Sequence, residues 1–139
     1  MPNLKLILVF LMCAAFSYAT ARSEDQINFE PWTGTWTNTD ANTNSTTRLV
    51  VTRNEGKLIV HGFGKCHPTD CDWGTTGLHI CQVQPNDGPV GFASWDAKFK
   101  DHHIVLRLTD EKLVVESFDI YKDQSGRRNR SRTETFAKP

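Results

Sequence analysis

The chain lacks an excess of one charge, a helical period and any long apolar run beyond its first residues. Each absence removes a class of function. Its 139 residues hold 16 Lys and Arg against 16 Asp and Glu. So even a balance leaves no broad electrostatic footprint, and no nucleic-acid or membrane-surface partner is expected. Any charge-driven role must come from local clustering. No window repeats apolar residues at i, i+3, i+4 and i+7 over three turns, so no long amphipathic helix is expected. No second apolar run follows the first, so the processed chain is expected to be free of the membrane. A nucleophile, a base and an orienting group cannot be assembled from neighbouring residues. No catalytic residue, cofactor or metal is therefore assigned.

What is present begins with a targeting segment. Lys5 gives a positive start, residues 6–16 are almost continuously apolar, and Ala19-Thr20-Ala21 fits the small-x-small cleavage rule. Residues 1–21 are read as a signal peptide and the mature protein as secreted and extracellular. Cys13 leaves with that segment, and Cys66, Cys71 and Cys81 remain. In an oxidising compartment a disulfide is the default, and three cysteines leave one over. The short Cys66–Cys71 spacing makes that pair the expected bridge. Cys81 is then a free thiol, or the link of a disulfide-bonded dimer. Asn44-Ser45-Thr46 and Asn129-Arg130-Ser131 are glycosylation sequons, which makes Asn44 and Asn129 candidate acceptors.

Residues 22–31 are polar and read as an N-terminal arm, and residues 32–139 as one β domain. Eight strands are predicted, over residues 32–37, 46–53, 57–64, 72–83, 90–99, 102–109, 113–121 and 128–136. Asn-, Gly-, Asp- and Pro-rich turns separate most of them, and the connections are mainly of hairpin length. The pattern predicts an eight-stranded antiparallel up-and-down barrel, with a β-sandwich as the alternative. Closure is favoured because it removes both sheet edges, and neither terminal strand looks blunted. The interior of such a barrel holds packed side chains or one small ligand.

Two resemblances follow from quoted residues. Gly34-Thr35-Trp36, near the start of a small eight-stranded chain, resembles the Gly-x-Trp opening of lipocalins and avidins. In those families a basic residue of the last strand packs on that Trp, a role the resemblance offers to Arg128, Arg130 or Arg132. Gly34-Thr35-Trp36, His61 to Gly64 and Lys65-Cys66-His67-Pro68-Thr69-Asp70-Cys71-Asp72-Trp73-Gly74 together resemble a family of small, largely bacterial domains without an established activity. That similarity covers the first half of the mature domain. It implies fold rather than mechanism, and Cys81 lies outside its pattern.

Three constellations can carry function. The first is the 65–73 loop. A bridge between Cys66 and Cys71 holds a rigid protrusion at one barrel mouth, where ligand contacts usually sit. Lys65, His67, Asp70, Trp73 and, further on, Trp95 are its candidate ligand-binding residues. The bland alternative is a stapled turn without a ligand. The second is the run Arg128, Arg130, Arg132. Alternate residues of a strand share a face, so these three guanidiniums make an anion-binding stripe suited to sulfated or carboxylated glycans. Its alternative is a solvated face neutralised by Asp119 and Glu116 across the strand pair. The third is Cys66, His67, Asp70, Cys71, His79 and Cys81, with His61 nearby. The residue types suit zinc, but the spacing is not that of a standard finger and oxidation removes the thiolates. The expectation is a non-catalytic binder of an extracellular glycan or small molecule. Polyanion binding through the arginine stripe is the second reading, and a metal protein or hydrolase around His67 the third.

Overall fold

β-Branched and aromatic residues alternate with polar ones along eight stretches, and only a strand turns that period into two faces. The computed structural model describes residues 27–83 and 87–139. The segment 1–21, expected to be a signal peptide, and the first half of the expected N-terminal arm lie outside the described residues. The strands are β1 (Gly34–Asn38), β2 (Thr46–Asn54), β3 (Lys57–Gly64), β4 (Cys71–Gln82), β5 (Pro89–Ala97), β6 (Lys100–Thr109), β7 (Lys112–Tyr121) and β8 (Arg130–Ala137). Each pairs antiparallel with the next, and β8 returns to β1 through Thr37↔Ala137 and Asn38↔Phe136. That last ladder closes the barrel and excludes the sandwich.

Inward residues fill one half of the barrel. Trp36, Leu49, Val51, Leu58, Val60, Ile104, Leu106, Leu113, Val115 and Phe136 form a continuous buried core. A 3-10 turn at Glu30–Trp32 closes that end. Trp32, which the sequence placed in the first strand, instead plugs the barrel at 1% exposure. Its carbonyl accepts a hydrogen bond from the Trp36 indole N–H at 2.8 Å. Phe29 of the arm packs against the same core. Lys138 lies 4.6 Å from the Trp36 ring and donates to the Pro31 carbonyl at 3.1 Å. The basic residue on this Trp is therefore Lys138, just past β8. Arg128, Arg130 and Arg132 cannot reach it, because they begin or precede β8 at the opposite end.

Phe92 and Phe99, the bulky residues on either side of Trp95, are 42% and 43% exposed. Alternation sets this for Phe92: Gly91, Ala93 and Trp95 face inward opposite Leu106, Ile104 and His102, so Phe92 faces out. Phe99 sits in the turn after β5. The last strand also starts two residues late. Asn129 accepts from the Tyr121 backbone N–H through its side chain, and ladder pairing begins only at Asp119↔Arg130. Arg128 is thereby left in the preceding loop.

Candidate functional site at the open barrel end

Antiparallel up-and-down topology sends alternate connections to opposite ends. The loops 39–45, 65–70, 98–99 and 122–129 therefore gather at the end away from Trp32. The stapled loop is one of four walls there. Cys66 and Cys71 form the expected disulfide. Cys81 is a free, exposed thiol further along β4.

The interior just below these loops is polar, because alternation carries charged residues inward at the strand ends. On β6, Ile104 and Leu106 face the core, and the same parity turns His102 and Lys100 inward. On β7 it turns Ser117, Asp119 and Tyr121 inward, and on β8 Arg130 and Arg132. Trp73 joins them through an irregularity. The β3–β4 register runs Gly62↔Gly74 and then Phe63↔Asp72, which leaves Trp73 as an extra residue on β4. Its indole lies over two glycines. A Cβ on Gly62 would sit 2.8 Å from that ring, and one on Gly64 only 2.2 Å from it. Only glycine permits so close an approach, which accounts for Gly62 and Gly64 in the conspicuous stretch before the disulfide.

Together these side chains line a recess of about 210 Å³. Lys65, Cys66 and Cys71 form one wall; Lys100, Asp119, Tyr121, Arg130 and Arg132 face them; Trp73 and His102 also line it. Trp95 supports this layer from the core side. It stands edge-on to Trp73, with centroids 5.8 Å apart, and its N–H donates to the Gly74 carbonyl at 3.0 Å.

His102 is 3% exposed and lies 4.7 Å from the Trp73 ring, centroid to centroid. Its Nδ1 is 2.6 Å from Asp119 Oδ1, which also accepts from Lys100 Nζ at 2.8 Å. Burial pushes the Asp119 carboxyl up, but the hydrogen bonds from His102 and Lys100 outweigh it and hold its pKa at about 2. His102 Nε2 is buried and has no hydrogen-bond partner among the described residues. Thr46 Oγ1 and Glu134 Oε2 share that condition. The other Glu134 oxygen accepts from Asn38 and Thr43, at 2.9 and 2.8 Å.

The predicted residues divide between two surfaces. Lys65, Trp73, Arg130 and Arg132 come together in the recess, and Trp95 lies beneath it. His67 is exposed on the loop and Asp70 turns outward, accepting from the Thr47 hydroxyl at 2.6 Å. The zinc candidates are likewise dispersed. His61 is 2.5 Å from Asp72, not Asp70, on the outer face, and stacks on Phe63 with Arg48 beyond it. Cys66 and Cys71 are bonded to each other. Of the sequon residues, Asn44 accepts from Arg132 Nη1 at 2.6 Å on the recess rim.

Sequence reading missed Lys100, His102 and Asp119 as one unit. It left Lys100 between the strands predicted at 90–99 and 102–109 and used Asp119 only to neutralise arginines. The parity of Ile104 and Leu106 was the available signal: counted back by twos, it reaches His102 and Lys100. No family model, curated protein or solved structure matches the chain.

Proposed function

We propose that the chain is a secreted, non-catalytic binding protein that takes an extracellular glycan or small molecule at the open barrel end. One observation carries this reading. The barrel is packed solid from Trp32 to Trp95 but opens beyond them into a recess walled by the stapled loop. Rigid walls around a concave polar site suit recognition of a small ligand.

The polyanion reading draws on part of the same surface. Arg130 and Arg132 stand in the recess, whereas Arg128 lies in the loop before β8. An outward stripe of three guanidiniums is not formed. Anion binding thus becomes a property of the mouth rather than a second function elsewhere.

The test is a titration of isotope-labelled secreted protein with a panel of neutral and acidic saccharides, followed by amide chemical shifts. Saturable shifts at Lys65, Trp73, Lys100 and Arg132 are expected for at least one member. Shifts confined to the outer face around His61 and Asp72 would refute the mouth as the site. Heparin retention is expected to fall in an Arg130→Gln/Arg132→Gln variant and to collapse with ionic strength. Unchanged retention would move polyanion binding away from the mouth.

A further inference from the structure

We infer that the outer face of β4 to β7 around Cys81 is an interface with a second copy of this chain, closed by a disulfide between the two Cys81 residues. This face lies on the barrel wall, apart from the recess at the open end.

The sheet register assembles the face. Residues directly opposite each other in a ladder share a face, so the outward direction of Phe92 carries to its neighbours. His79 lies opposite it on β4 and Val105 on β6. One row along, Cys81 stands opposite Val90, which makes the thiol a diagonal neighbour of Phe92. One row the other way, His103 stands opposite Phe118. Phe92, Val105 and Phe118 therefore continue one another across three strands, a step away from Cys81. Phe92 leaves much of its ring in water. An aromatic side chain so placed on an outer wall is desolvated only when another surface covers it.

The thiol and the bordering charges name the occupant. Cys81 is free and exposed, whereas Cys66 and Cys71 are joined. Where thiols oxidise, an exposed thiol with no partner in its own chain is left to pair with another molecule. A second copy brings the same thiol to the same place. In a two-fold dimer the patch faces itself, and a residue on the axis meets its own counterpart. Arg107 and Glu116 border the apolar residues, opposite Val90 and Val105. Neither makes an ion pair among the described residues. One unpaired charge of each sign makes the border complementary to itself, which suits a second copy better than a partner of one dominant sign. The bond forms by exchange with a small disulfide such as oxidised glutathione. Its S–S bond breaks into two thiols, taking two electrons and two protons from the pair of Cys81 thiols as their own S–S bond forms.

The experiment expresses the full chain for secretion, blocks free thiols with N-ethylmaleimide at harvest and sizes the unreduced protein. A dimer that reductant converts to monomer is expected, with a Cys81–Cys81 peptide on mapping. A monomer with Cys81 free or carrying glutathione would overturn the inference. Chance oxidation of an exposed thiol is separated from a built face by removing the thiol. Cys81→Ser is expected to self-associate reversibly in sedimentation at rising protein concentration. Adding Phe92→Ser is expected to raise the dissociation constant at least about tenfold. Both side chains are exposed, so neither change removes a core contact. In the same background Arg107→Glu is expected to weaken association, and Arg107→Glu with Glu116→Arg to restore it. Cys81→Ser remaining monomeric throughout, Phe92→Ser without effect, or a double charge reversal that restores nothing would each overturn the face as the interface.

Discussion

Asp119 is held at about 2 by two donors that it also holds in place. A carboxyl whose folded pKa lies below its unfolded value stabilises the fold when ionised. Its contribution is complete above the ordinary value of 3.8 and is lost as pH falls through about 2. The shift corresponds to about 2 kcal/mol. Asp119→Asn should therefore cost about that much at neutral pH, and the gap to the unmutated protein should close toward pH 2. Urea midpoints of both proteins across that range measure it, and a gap independent of pH would show that Asp119 acts only by packing. At this scale legibility in the sequence was partial. His102 and His103 were separable, because neighbours in a strand take opposite faces; His102 went inward and His103 went outward to the Ser94 hydroxyl, 2.7 Å away. Nothing local announced that His102 would meet Asp119. That meeting depends on the β6–β7 register, which pairs the two residues directly.

Elements meet most closely where β3 offers Gly62 and Gly64 to the indole of β4. Gly64→Ala would force Trp73 or the strand to shift, and overpacking of this kind costs about 1–3 kcal/mol. Gly77→Ala on the same sheet is the control, since its Cβ would meet only His79, at 3.4 Å. Denaturation midpoints should separate the two variants, and equal values would show that Trp73 moves aside at no cost. The neighbouring disulfide closes so short a loop that chain entropy accounts for about 2 kcal/mol. A Cys66→Ser/Cys71→Ser variant should remain folded, lose about that stability by thermal or urea unfolding, and bind mouth ligands more weakly because one wall loosens. Undiminished binding would reduce the staple to a stabilising device. The strands themselves were legible because turn residues and alternation mark them directly. The start of β8 was not, because a single side chain, Asn129, takes the bond that a ladder residue would otherwise make. The extra residue at Trp73 was hidden too, since a bulge depends on how two strands align.

The whole molecule has a packed half and a charged, open half, and eight strands run between them. The number of strands and their hairpin order were readable, and with them closure, since a barrel is how such a sheet loses its edges. The partition into halves was not readable. Which end is filled depends on where Trp32 folds back, and Trp32 sits in a 3-10 turn that the strand pattern had absorbed. The same partition explains how a chain with no net charge can hold a cationic recess: opposite charges lie outside it, on faces such as that of Asp72. The clasp between Lys138 and Pro31 has one more consequence. It brings the chain that leaves β8 to the packed end, so a tag or surface linkage at Pro139 joins the molecule from behind. Protein immobilised by that route would present its recess outward, unobstructed by the linker.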